Sequence, residues 1–321
     1  MAGIELIEFA AFGKQIGIVL AGAASLWGFV FWRSSCEVSG KLLLPVFLGA
    51  GISFVFWFWL INLLPAYAHE GITLKPTFEG MYRALLLFMP VFISWLGLSL
   101  AGLLWWRLRK ASFLRLLPWF FAAELAFTLI LASFPVWNSE WDRVQMFVIG
   151  HSVHSIFTLG TVLVLDYLFL ISQRSIFLQR QIFPKFSAIS KVIWLGLGID
   201  FLSVALVFQE ALQLTPKFFF MQTVIGILIV NGVLLAGPVA RQFQVSLREG
   251  GVLLKKWKLA GDVAGVISIS SWFTITFVDF FHSIKLEYYQ FLGLYAALIV
   301  TLFCAHWLWE ASHRRKVAVT S

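Results

Sequence analysis

The chain has 321 residues, of which 60% are hydrophobic and 12% charged, with a net charge of +8 and a mean hydropathy of +0.88. Soluble domains are nearer a quarter charged, so this composition excludes an ordinary water-soluble fold. The basic excess falls in alternate loops, which argues for membrane topology and against a nucleic-acid surface. The two cysteines, Cys36 and Cys304, are too few for a disulfide framework. Both are expected on the cytoplasmic side, where thiols stay reduced.

Apolar runs of about 20 residues recur along the whole length. Backbone in lipid must satisfy its own hydrogen bonds, so these runs are helices. The expectation is an all-α polytopic transmembrane bundle of about nine spans. The start, MAGIELIEFAAFGKQ, has no basic residue before Lys14 and makes a poor signal peptide, so the first span is expected to be kept.

The first span runs over Phe12–Trp32 and is rich in Gly and Ala, which suits close helix packing. A short basic loop with Arg33 and Lys41 leads to the second, Leu42–Leu64. The loop Ala66–Tyr82 is nearly neutral and is placed outside. The third span, Ala84–Trp106, enters the basic loop of Arg107, Arg109, Lys110 and Arg115. The fourth is Phe113–Val136, followed by the outer turn WNSEWDR with Trp137 and Trp141 at headgroup level.

The fifth span, Val144–Leu170, exits into Arg174, Arg180, Lys185 and Lys191. The sixth is Ser187–Phe208, the seventh Phe218–Ala240, the eighth Leu259–Phe281 and the ninth Tyr289–Trp309. Arg314, Arg315 and Lys316 close the chain. The alternation of basic loops predicts an external N-terminus and a cytoplasmic C-terminus. It also predicts a three-span part over 1–110 and a more polar six-span bundle over 111–321. A prokaryotic cytoplasmic membrane is the expected location and its lipid the expected partner.

The fifth span carries the densest polar face. With about 100° per residue, His154 falls about 60° to one side of His151 and Asp166 about 60° to the other. Ser155, Thr158 and Thr161 lie in or near the same arc. Ionisable groups in lipid are costly and normally face a bundle interior or a wet cavity. Imidazoles there are candidate ligands for haem iron or copper. His151 and His154 are candidates to share one metal ion, and a bis-His haem needs a partner on another helix, for which His282 is at a suitable depth. His306 lies at the opposite end.

Further candidates are carboxylates inside spans. Glu124 and Asp200 are placed as carriers of coupled protons or cations. Asp166 is expected at the depth of Lys191 and Asp262, where an Asp166–Lys191 pair would neutralise both charges. Asn231 is expected to bond between helices. Each polar group has a structural alternative, in which it only holds neighbouring helices together. The sequence has no P-loop, GxSxG, HExxH or CxxC motif, and Met81, Met89, Met146 and Met221 form no Met-rich copper motif. No enzyme class can be assigned.

The run from Val148 to Glu310 pairs a histidine-bearing span with PKFSAISKVIWLGLGIDFLSVAL, KFFFMQTVIGILIVNGVLLAG and GVISISSWFTITF. This layout resembles the membrane domain of bacterial copper-resistance D-type proteins. The resemblance implies an inner-membrane protein that handles copper or binds haem, with His151 and His154 as the matching positions. Gln222 departs from the family pattern, where a basic residue is expected. Three readings stand open: a haem- or metal-binding protein with a membrane or redox partner, a proton- or cation-coupled permease, and a non-catalytic membrane subunit.

Overall fold

The computed structural model describes residues 2–69, 82, 85–108, 113–133, 150, 153–172, 176–207, 215–248, 255–281 and 284–320. These residues form helices and connecting turns, with no strand among them. Six helices are long and apolar enough to cross a membrane. They coincide with the first, second, third, seventh, eighth and ninth predicted spans. The fourth and fifth are present as shorter apolar helices, Leu117–Ala132 and Val153–Phe169. The sixth is a helix of 22 residues, Phe186–Val207, interrupted in apolarity by Lys191 and Asp200. Large side chains such as Leu87, Trp119, Leu195, Val230 and Trp307 are more than half exposed. Apolar surface on that scale is compatible with an integral membrane protein, whose outer faces meet lipid.

The chain divides into two compact units, Met1–Leu212 and Gln213–Ser321. The division expected near residue 110 lies inside the first unit. The reason is α1 (Ala2–Trp32), which packs against α3 (Leu43–His69) and also against α5 (Leu117–Ala132) and the fifth span. Between α1 and α3, the short α2 (Cys36–Lys41) is started by Ser35, whose hydroxyl accepts from the Val38 N–H at 3.3 Å.

The α1–α3 crossing is built on small residues. A Cβ added at Gly17 would collide with the Ser53 amide and lie 2.5 Å from the Gly49 carbonyl. A Cβ at Gly49 would lie 2.6 Å from both the Ala21 amide and the Gly17 carbonyl. The two backbones therefore touch, which only a missing Cβ on each side permits. α4 (Met89–Leu108) packs on α3 and α5 and closes this part of the unit. The described residues of the unit also include α6 (Thr161–Ser172), α7 (Ile176–Ile182) and α8 (Phe186–Val207).

The second unit holds α9 (Pro216–Leu234), α10 (Ala240–Arg248), α11 (Lys255–Phe280) and α12 (Tyr288–Thr320). Thr215 caps α9 by accepting from the Phe218 N–H at 3.1 Å, and Pro216 takes the first turn, where its missing N–H costs nothing. A wide π-turn over Leu235–Val239 surrounds Pro238, whose ring and absent N–H break the regular ladder. Phe220 stacks on Phe291 at 5.1 Å, and with Val224, Val278 and Tyr295 they form the core.

Polar bonds then fix the register of the second unit. Asn231 donates from Nδ2 to the Ala264 carbonyl at 2.8 Å. The Ser271 and Tyr295 hydroxyls lie 2.7 Å apart, and both residues are buried. Tyr295→Phe is expected to lower the stability of this unit by about 1 kcal/mol, the size of one interhelical hydrogen bond in lipid. Thermal unfolding in detergent, compared with Tyr289→Phe at an 80% exposed position, reads this out.

Candidate functional site

Glu124 is the best-built polar centre of the first unit. It sits near the middle of α5 and is 0% exposed. Two side chains of α4, one helical turn apart, hold its carboxyl. The Trp95 indole Nε1 donates to Oε2 at 2.7 Å. The Ser99 hydroxyl lies 3.0 Å from both carboxyl oxygens and 3.0 Å from the Trp95 carbonyl. A hydroxyl has one proton, so it donates to one of these acceptors at a time. On α5 itself the Thr128 hydroxyl donates to the Glu124 carbonyl at 2.5 Å. Trp95 is positioned by Phe92, edge-on at 6.1 Å, which in turn stacks on Trp57 at 4.6 Å.

The sequence places Glu124 inside an apolar segment, as α5 has it, but gives no partner for it. Trp95 and Ser99 are not among the residues that sequence reasoning singles out. A Trp and a Ser at i and i+4 share one helix face, and that spacing is the available signal.

The fifth span does not present one continuous polar face. A π-turn at Ile156–Gly160 interrupts it just after His154 and Ser155. Such a turn inserts one residue and so rotates the next part of the helix by about 100° from its regular course. The turn ends at Gly160, which lies close against α1: a Cβ there would lie 2.5 Å from the Val19 carbonyl and 2.7 Å from the Ala23 side chain. The polar groups are therefore shared between two neighbours. His154, 7% exposed, and Thr158 face α8 at Gly196. Thr161 faces α1, where its Oγ1 accepts from the Trp27 indole at 3.0 Å. The Thr158 hydroxyl donates to the His154 carbonyl at 3.0 Å.

The other expected positions are spread through the chain. His151 and His282 lie outside the described residues, as does the side chain of Asp200 on α8. Asp166 has one carboxyl oxygen, Oδ2, buried without a hydrogen-bond partner. The expected Asp166–Lys191 pair is not formed: no ion pair joins them among the described residues, and Lys191 is exposed. Lys191 opens a helix on its outer face, where water or headgroups solvate its ammonium better than a buried carboxyl would. In the second unit, Asp262 meets Lys258 at 3.4 Å and His306 Nε2 at 3.6 Å, whereas the sequence gives Asp262 a depth and no partner.

The described residues contain no group of three or more His, Cys, Asp or Glu arranged to hold a metal ion. A Cβ added at Gly196 of α8 would lie 3.4 Å from His154 Cδ2 and 3.5 Å from its Nε2, so the imidazole edge faces that helix. Among the described residues, six apolar helices of bilayer length are compatible with a multi-pass helical membrane protein as the class. Compared with protein-family models, curated proteins and solved structures, the chain matches none.

Proposed function

We propose that this chain is a proton- or cation-coupled permease of a prokaryotic cytoplasmic membrane, with about nine spans, an external N-terminus and a cytoplasmic C-terminus. The observation that carries the reading is Glu124, a carboxyl with no exposure held at mid-span by donors from a neighbouring helix. An ionisable group at that depth is expensive to keep and is a functional site by default. The Trp95 indole is a donor only, so it fixes Oε2 as an acceptor, while the Ser99 hydroxyl beside Oε1 can donate to a carboxylate there or accept from a protonated carboxyl. Asp166, toward the cytoplasmic end of the fifth span, supplies a second carboxyl with a free oxygen. Asp200 is the third carboxyl of this reading.

The test is flux. The protein is reconstituted in phosphatidylethanolamine–phosphatidylglycerol vesicles loaded with a pH dye, under an imposed potential, with sodium or potassium outside. Acidification should exceed that of empty vesicles and fall at least tenfold in Glu124→Gln inserted at the same density. Wild-type flux equal to that of empty vesicles with both cations would overturn the reading.

The second reading is a haem or copper site at His151 and His154, with a redox partner protein. The wide turn beside a buried imidazole favours it, since π-turns cluster at functional sites. A visible spectrum of the purified protein before and after reduction decides this: a Soret band or bound copper lost in His154→Ala supports it.

A further inference from the structure

We infer that α10 and the start of α11 form a docking surface for anionic phospholipid, with Arg241 and Lys256 as the residues that recognise its headgroup. Between Lys217 and Arg241 no residue is charged, a helical run of about 35 Å. That run exceeds a hydrocarbon core of about 30 Å, so the helix is at headgroup depth when α10 begins. From Ala240 to Lys258 the sequence then carries Arg241, Arg248, Lys255, Lys256 and Lys258 against a single acid, Glu249. Trp257, half-buried at the start of α11, is the kind of side chain that anchors a helix at the same level.

Packing turns the basic side of α10 outward. Phe243 lies against α11, where a Cβ added at Gly261 would stand 3.2 Å from its ring. Arg241 and Val245 each stand two positions from Phe243, about 160° around the helix, and both are exposed. On α11, Lys256 is exposed, with its ammonium 5.9 Å over the Trp257 ring. Lys258 differs from these two cations. Its ammonium meets the Asp262 carboxylate at 3.4 Å, so its charge is already matched within the protein.

Charge complementarity selects the occupant. A basic, aromatic corner where two apolar helices leave the hydrocarbon meets phosphate headgroups, and lipids with net negative charge are attracted most. Each Lys or Arg near such a surface strengthens association about fivefold. The Arg241 guanidinium offers paired N–H groups that match two phosphate oxygens, whereas Lys256 adds a point charge. Phosphatidylglycerol is the fitting class, since its headgroup adds no positive charge to offset the phosphate. The surface rests on the membrane-spanning reading of α9 and α11 and is independent of the permease.

A local reporter tests it. The full chain, with Cys36→Ser and Cys304→Ser, carries a bimane label at Val245→Cys and is reconstituted in phosphatidylcholine vesicles. Phosphatidylglycerol or phosphatidylcholine, spin-labelled near the headgroup end of one chain, is added at equal mole fraction and the quenching is compared. The phosphatidylglycerol should quench at least about fivefold more effectively, and less so as salt is raised. Arg241→Gln with Lys256→Gln should bring the two lipids within about twofold of each other. Lys258→Gln with Asp262→Asn, which removes a matched pair, should keep the original ratio within about twofold. Helix content and elution volume confirm that each variant is folded. Equal quenching by the two lipids at the unaltered corner, as a surface for an acidic protein would give, overturns the inference. So does a preference that survives in Arg241→Gln with Lys256→Gln, or one lost equally when the matched pair is removed. Proton flux is read separately, so the lipid surface and the permease can fail independently.

Discussion

Valine at Gly17 or at Gly49 is expected to cost the first unit about 3 kcal/mol or more. The added carbon would meet backbone: the Ser53 amide and Gly49 carbonyl in one case, the Ala21 amide and Gly17 carbonyl in the other. A side chain yields to overpacking by changing rotamer, but two helix backbones separate only as rigid bodies. Separation would also pull α1 from α5 and from the fifth span, because one helix carries all three contacts. Gly51→Ala is the control. It stands on the same helix as Gly49, and its added Cβ meets nothing within 4 Å. Unfolding in mixed micelles should separate these variants plainly. A Gly17→Val protein as stable as Gly51→Ala would mean that the crossing contributes nothing.

The second large effect concerns the order in which the Glu124 contacts are removed. The double variant Trp95→Phe with Ser99→Ala is expected to lose about 3 kcal/mol, since it strands a buried carboxyl without donors. Adding Glu124→Leu to that background should restore most of the loss, because an apolar residue needs no partner there. The same unfolding assay measures both. The comparison also separates structure from function: the restored triple variant should be stable and yet carry no proton flux. A triple variant that transports would remove Glu124 from the mechanism.

The helical class and the positions of the apolar segments are legible in composition and run length. Lipid gives the backbone no hydrogen-bonding alternative to helix, so local sequence suffices. Glu124 is legible as a carboxyl within an apolar helix for the same reason. Its partners are not, because Trp95 and Ser99 are 29 and 25 positions away and become neighbours only when α4 and α5 pack.

The fifth span gives the opposite lesson. A regular 100° periodicity gathers its imidazoles, hydroxyls and carboxyl on one arc. The π-turn at Ile156–Gly160 shifts that register by one residue and divides the polar groups between α8 and α1. The turn coincides with the close approach of Gly160 to the Val19 carbonyl of another helix, a contact that residues 156–160 alone do not show. The expected Asp166–Lys191 pair fails similarly, because depth along the membrane fixes one coordinate of a side chain and azimuth needs the packed neighbours. By itself, then, the sequence determined the all-helical class, where the apolar segments lie and which of them carry ionisable groups, because solvent and length decide these locally. Which polar groups meet, and around which helix, were decided only by tertiary packing, where helices approach closely at single glycines.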